Sequence, residues 1–483
     1  MHLVHPAVNA AALGKNGQTP DGPTRIDGEI PIDLDVRPGQ RFLFISHDQS
    51  ALSHGLHKYP AKFFPELPRW LIRRYSSEGD WVLDPFAGSA TVNVEALLAR
   101  RHSVAIDVDP FARFLARVKV TPLDIKGLWA AHAWLRERVK GQGSRVQGIG
   151  SRVKGQGSRV EGSGVRGQNP VCDFPLGGCL PGANPDALQF PYRDNWFKPY
   201  ILEELAFIKN LMLSLGVGPL AGLPQVQAAR IRDFFLVCFS SIIRAVSNAD
   251  DHCTRTVVRK RLNKQVNPGM AFARFIKAID TSTPRMAAFS EKCPVDIKVE
   301  MPDEGDARAI PYPDGYFHLA VTSPPYVNAV DYPRTHQLEI YWLGMESGSL
   351  RHLKRQHVGT EVVQNGEYRE LHRIGLPEVD ALLARLFEAD PRRSYILYRY
   401  LRDMEQNLRE VRRVLRPGGR YVIAVGNNRM RGHLVESWRY LMELAQAVGY
   451  RLETYFASEI IRHFIKVPRE ERIATDWVIV LER

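Results

Sequence analysis

Apolar residues recur along this chain at two different periods. The short apolar stretches Trp81–Asp84 and Ser103–Ile106 have the form of strands buried on both faces of a parallel sheet, and Val295–Glu300, Phe317–Thr322, Tyr421–Val425 and Asp476–Leu481 are further strand candidates. Between the first two, Asn93–Arg100 reads as a helix. Trp196–Leu215 and Ile231–Val246 carry apolar residues at three-to-four spacing, the signature of helices with one buried stripe. Strand-like and helix-like pieces alternate, which predicts an α/β fold. The first forty residues are rich in Gly, Pro, Ala and Asn and have little period, so residues 1–40 read as a loosely ordered leader, with order beginning near Arg41–Ile45.

One segment breaks the pattern. From Val139 to Arg166 a seven-residue unit repeats four times, each copy with one or two apolar positions and two glycines. Such a unit has no stripe to bury, so a flexible linker is expected there and not a coiled coil. It lies within a long interruption, residues 126–295, that is otherwise helical in pattern. The predicted organisation is thus a sheet-forming unit over 41–125, a mainly helical insertion over 126–295 with a candidate role in reading a target, and a second sheet-forming unit over 296–483.

The length of 483 residues fits one large α/β unit with insertions or two to three domains. With 44% hydrophobic and 24% charged residues the composition is that of a globular enzyme. The uncharged stretch Asn210–Ala229 contains Gly216, Gly218, Pro219, Gly222 and Pro224, so it cannot be one membrane-spanning helix. No signal peptide is visible, and five cysteines at irregular spacing fit the reducing cytoplasm. The formal charge is +12, pointing weakly to a polyanionic partner, and the repeat alone, with six basic residues and one acidic, supplies +5 of it.

Two constellations carry chemistry. In Val82–Thr91 a buried strand ends at Asp84, and a small-residue turn then leads into a helix. Such a turn lets backbone N–H groups approach a ligand, and the helix start favours an anionic group. About twenty residues on, the next strand ends at Asp107, the usual place for a carboxylate that takes ribose hydroxyls. A tight turn with a surface aspartate is the alternative. In Ala320–Tyr326 a buried strand runs into Thr322-Ser-Pro-Pro-Tyr326. The prolines leave carbonyls without competing N–H groups, Ser323 adds a hydroxyl and Tyr326 a flat face, which suits an amino group on an aromatic ring. A proline-rich loop is the alternative there.

Together these residues resemble the amino-methylating DNA methyltransferases, in the cytosine-N4 branch. Asp84–Thr91 is similar to that family's cofactor loop, and Thr322–Tyr326 to its catalytic motif in the serine form; adenine-N6 enzymes more often carry Asp or Asn in the serine's place. His54–Phe63 resembles the segment that closes over the methionine end of the cofactor, Gly305–Arg308 the position whose Asp meets the adenine amino group, and Asp331-Tyr332 and His336–Leu343 the flanks of the N4 branch. The resemblance implies a doubly wound, Rossmann-like S-adenosylmethionine-dependent methyltransferase fold. It implies S-adenosylmethionine as cofactor, held by Lys62, Asp84, Phe86, Ala87, Gly88, Ser89, Asp107 and Asp306. Ser323, Pro324, Pro325 and Tyr326 become the catalytic residues and double-stranded DNA the substrate. A cognate restriction endonuclease is a candidate partner. Acceptors at Ser323 Oγ and the Pro324 carbonyl would bind the amino hydrogens, and Tyr326 would stack on a base taken out of the duplex.

Adenine-N6 methylation, RNA methylation and a non-catalytic cofactor-sensing DNA-binding protein are the competing readings. Ala90 stands where the family usually has glycine; its added methyl is a candidate for crowding the cofactor, with small-residue variants expected to be tolerated there. No metal or membrane is expected. The histidine pairs His54/His57 and His352/His357 have no ligand company and read as ordinary surface or loop residues. The basic runs Arg255–Lys264 and Arg351–Arg355 are candidates for phosphate contact.

Overall fold

A computed structural model of the protein describes residues 22–153, 189–259, 261, 263–303, 305–327, 330–460 and 475–483. Eleven strands form among these residues. They are β1 (Thr24–Asp27), β2 (Gln40–Ile45), β3 (Trp81–Asp84), β4 (His102–Ala105), β5 (Val299–Glu300), β6 (Phe317–Thr322), β7 (Leu415–Gly426), β8 (Asn428–Met430), β9 (His433–Val435), β10 (Arg451–Glu459) and β11 (Thr475–Glu482). Nine of them make one sheet in the order β1-β2-β10-β11-β7-β6-β3-β4-β5, while β8 and β9 form a separate hairpin. Neighbours in the large sheet are parallel except β11, which runs antiparallel to both β7 and β10.

The central strands β3, β6 and the second half of β7 are buried on both faces because helices cover both. Along β7, Val422 and Ala424 face one cluster, which includes Leu71 and Ile72 of the helix Glu66–Tyr75. Tyr421, Ile423 and Val425 face another, built from the helices Pro377–Ala389, Pro391–Val414 and Ser437–Val448. This alternation is the period of two that a pleated strand imposes. A third cluster holds the insertion: the helices Ile125–Val153, Pro199–Leu213, Gln225–Val246 and Met270–Lys292 pack on one another and on Phe111, Phe114 and Leu115 of the helix Pro110–Val120.

From β3 the chain passes through the helix Thr91–Leu98 to β4 on one side, whereas β6 lies on β3's other side. The order therefore reverses between β3 and β6, and the crevice at their C-terminal ends is where a doubly wound sheet holds its ligand. Asp84 ends β3 and Thr322 ends β6, and Thr322 Oγ1 donates to Asp84 Oδ1 at 2.7 Å across the gap.

Several expectations need correction. Order begins well before Arg41: β1 pairs in parallel with β2, Ile30 is buried, and Trp70 Nε1 donates to the Pro31 carbonyl at 2.8 Å. The tertiary partners of these residues lie far along the chain, so local composition hides them; residues 1–21 lie outside the described residues. Because β2 pairs with β10, residues 24–45 complete the sheet edge beside the C-terminal strands. The strand expected from Val295 is only Val299–Glu300, with Val295 fully exposed. The start of the repeat is helical too: the helix from Ile125 continues to Val153. Residues 125–139 pack against the insertion and provide the costly nucleus, after which each further turn adds hydrogen bonds more cheaply, even with glycine present. The rest of the repeat, 154–166, lies outside the described residues. No helix among the described residues is long and apolar enough to cross a membrane.

Candidate active site

The turn after β3 is shaped by backbone bonds before any side chain acts. Ile106 N donates to the Asp84 carbonyl and Ala87 N to the Ile106 carbonyl, both at 2.9 Å, which docks the turn onto the end of β4. Gly88 has φ +48°, and a Cβ there would lie 3.1 Å from the Tyr59 ring, so the position favours glycine. Its N–H donates to Asp107 Oδ2 at 2.8 Å, while Asp107 Oδ1 accepts from Asp109 N at 2.8 Å. Asp109 in turn caps the next helix, accepting from Phe111 N and Ala112 N.

These turns wall a cavity of about 760 Å³. All eight residues expected to hold the cofactor line it: Lys62, Asp84, Phe86, Ala87, Gly88, Ser89, Asp107 and Asp306. Ser323 and Pro325 line the same cavity from β6's side; Pro324 and Tyr326 do not. Pro324 is buried, and Tyr326 is half-buried against the core on one sheet face, with its hydroxyl donating to Asp476 Oδ1 at 2.7 Å.

The electrostatics mark the cavity as a place where charge is held at a cost. Burial pushes the Asp84 carboxyl up to about 7, against the lowering effect of its bonds from Thr322 and Phe86 N. Burial together with the neighbouring Asp109 raises Asp107 to about 6. Asp476 is likewise raised to about 6 by burial, with Tyr326 pulling the other way. Burial acts to raise Asp306 too, but Arg308, which meets it through a two-oxygen fork, outweighs this and holds it low. Lys62 donates Nζ to the carbonyls of Gln49 (2.9 Å) and His54 (3.2 Å), and burial lowers its pKa. Lys119 is almost fully buried beneath the turn and donates to the Ser89 carbonyl.

The wall fits the implied cofactor. Ser89 Oγ and Thr91 Oγ1 are buried on it with no hydrogen-bond partner in the protein, an arrangement that is costly unless a ligand completes it. Asp107 stands at the tip of β4 with both oxygens already oriented by backbone N–H groups, a fixed acceptor for hydroxyls. Ala90 is a departure from expectation. It adopts the left-handed region at φ +58° and is fully buried in the core, and it does not line the cavity, so its methyl does not crowd a ligand.

A DNA methylase family model matches residues 38–116, a span from β2 to the helix after Asp107 that contains every turn just described. Type II methyltransferase M.MvaI of Kocuria varians is 20% identical over 402 residues, 77% of this chain and 76% of that protein. Type II methyltransferase M.BsoBI of Geobacillus stearothermophilus is 21% identical over 430 residues, 82% of this chain and 78% of that protein. The matching family model and these relatives are all DNA methyltransferases, and the first two relatives are matched over most of both chains. A shorter match of higher identity, 39% over 75 residues, is to Type II methyltransferase M.MjaII of Methanocaldococcus jannaschii, covering 16% of this chain and 14% of that protein.

In the folded chain the cavity and its surroundings also join residues that lie far apart in the sequence. Tyr59 lies between the rings of Tyr332 (5.7 Å) and His336 (5.1 Å), stacked on both. His57 and His357 are buried, and His54 is bonded to buried Glu95 at 2.7 Å, so three of the four histidines read as surface or loop residues are interior; only His352 is exposed. His357 lines the cavity and forms an ion pair with Asp109 at 3.4 Å, joining the segment after residue 350 to the cofactor half. Asp476, from the strand that runs antiparallel, reaches Tyr326 across 150 residues of sequence. No local signal points to His357 or Asp476, since each meets its partner only in the folded sheet. Among the described residues no group of three or more His, Cys, Asp or Glu is placed to hold a metal ion.

Proposed function

We propose that the protein transfers a methyl group from S-adenosylmethionine to the N4 amino group of cytosine in double-stranded DNA. The observation that carries this reading is the convergence of Ser323 and the eight candidate cofactor-binding residues on one cavity at the sheet's switch point. When bound, the cofactor supplies an electrophilic methyl group on a sulfonium. Asp107 would take the ribose hydroxyls, Lys62 the methionine carboxylate, Asp306 the adenine amino group, and the turn Phe86–Ser89 the groups between them.

The acceptor side works through the amino hydrogens. Cytosine N4 is a poor nucleophile because its lone pair is delocalised into the ring. Ser323 Oγ and the Pro324 carbonyl accept its two hydrogens and favour a pyramidal nitrogen, so they act most strongly as the reaction proceeds. Tyr326, whose hydroxyl Asp476 holds, offers its ring to a base withdrawn from the duplex. The neutral serine hydroxyl, in place of Asp or Asn, supports cytosine over adenine. The reading includes a cytoplasmic protein paired with a restriction endonuclease of the same target, as the Type II names of the relatives fit.

The test is direct. Purified protein, S-adenosylmethionine and unmethylated DNA are incubated and the DNA digested to nucleosides for mass spectrometry. N4-methylcytosine is expected, and Ser323→Ala should lower kcat more than it raises KM. N6-methyladenine as sole product would overturn the choice of base, 5-methylcytosine would overturn the mechanism, and unmodified nucleosides would overturn the activity.

A further inference from the structure

Two basic runs separated by about a hundred residues meet in the folded chain. Arg255 comes from the insertion and Lys354 from the catalytic half, and both line a second cleft of about 450 Å³ with Asp331, Tyr332, Thr360 and Glu361. Tyr332 and His357 belong to this cleft and to the cofactor cavity alike, so the two spaces adjoin.

The loop that carries Arg255 is held rigidly. The Arg244 guanidinium donates to the carbonyls of Asp250 (2.8 Å), Thr254 (3.2 Å), Arg255 (3.4 Å) and Cys253. Thr256, itself buried, donates Oγ1 to the Thr335 carbonyl at 2.8 Å and pins the loop to the catalytic half. Arg255 itself is only loosely engaged: its side chain is 45% exposed and its nearest carboxylate, Glu361, is 3.8 Å away. Glu361 is also bonded by Arg393 at 3.1 Å, and Lys354 is neutralised by Asp331 at 2.8 Å.

The arrangement of the charges points to the ligand. Lys354 is paired with Asp331 and Glu361 is shared between Arg255 and Arg393, so the cleft sets donors and acceptors side by side as the edge of a nucleobase requires and leaves the Arg255 fork the free donor. We propose that this cleft reads a guanine of the recognition sequence near the acceptor base, with the Arg255 fork donating to its O6 and N7 and Glu361 orienting the fork. The inference rests on the DNA methyltransferase reading above and adds a specificity-determining residue to it. The insertion thereby acts as a target reader that also walls the reaction site.

Arg255→Lys is the decisive variant, because it keeps the charge and loses the two-pronged geometry. Genomic DNA from cells expressing wild type or variant is sequenced for modified bases. Wild type should show a motif with guanine within a few bases of the modified one. The variant should accept other bases at that single position, with discrimination reduced roughly tenfold to a hundredfold and S-adenosylmethionine affinity unchanged by calorimetry. Arg255→Ala should behave alike and leave the salt dependence of DNA binding nearly as in wild type. An unchanged motif, a motif without guanine, or uniformly weaker binding with the slope of log K against log salt reduced by about one would overturn the proposal, the last by making Arg255 a phosphate contact. A wild-type protein that leaves no modified base fails the methyltransferase reading instead, and binding of duplex oligonucleotides then tests the cleft alone.

Discussion

Asp84 is ionised at neutral pH only at a cost, and replacing it with asparagine should change how the ligand-free protein's stability depends on pH. The side chain is 3% exposed and both of its hydrogen bonds, from Thr322 Oγ1 and Phe86 N, fall on Oδ1, which asparagine retains as an acceptor. Its pKa is raised by burial from 3.8 to about 7. The sign follows from proton binding. Between pH 4 and 7 the folded state holds a proton that the unfolded state has released, so this group's contribution is complete below the unfolded pKa and is lost as pH rises through about 7. Integrated from pH 5 to pH 8, that loss is about 2–3 kcal/mol for wild type, and Asp84→Asn should not suffer it. Urea unfolding followed by tryptophan fluorescence at the two pH values gives the comparison, since other titrating groups largely cancel between the proteins. The stability difference should move toward the variant by about 2–3 kcal/mol on going from pH 5 to pH 8. Parallel pH dependences would refute the reasoning and mean that Asp84 titrates as an ordinary surface carboxylate.

Two further outcomes follow from the same turn. Asp107→Ala should weaken S-adenosylmethionine binding by about 1–3 kcal/mol, the scale of charged hydrogen bonds to a ligand; calorimetric titration measures it, and unchanged affinity with an intact fold would move the ribose contact to another residue. Ala90→Gly should alter stability by less than about 1 kcal/mol, because relief of the left-handed backbone, about 1 kcal/mol, is offset by loss of a buried methyl, about 0.8 kcal/mol. Cofactor affinity should stay as in wild type, and a tenfold gain would place the methyl in the cavity after all.

Much of the site is written locally in the chain. Pro85 to Ser89 between a buried strand and a helix can only form a tight, small-walled turn, and Asp107 follows from the length of one helix and one strand. The motif Thr322–Tyr326 is likewise a strand end with its chemistry attached, although only Ser323 and Pro325 of its four candidate residues reach the cavity wall. The helices of the insertion are legible from their apolar stripes. What the sequence does not contain is any contact that depends on two distant segments meeting in three dimensions. The strand β10 and the strand β1 gain their places from pairing with β11 and β2, and neither has enough apolar pattern to announce itself. Ala90 looks like an obstruction until the backbone turns its methyl into the core. The histidines look exposed until the segment after residue 350 folds over the cofactor half and buries His357 against Asp109. Tyr326 is legible as a flat ring, but its anchor Asp476 becomes its neighbour only because β11 runs antiparallel and so begins at the end of the sheet where β6 finishes. Local periodicity and turn chemistry thus determine the elements and the chemical groups; chain reversal and burial decide which of those groups face one another and what charge each can bear.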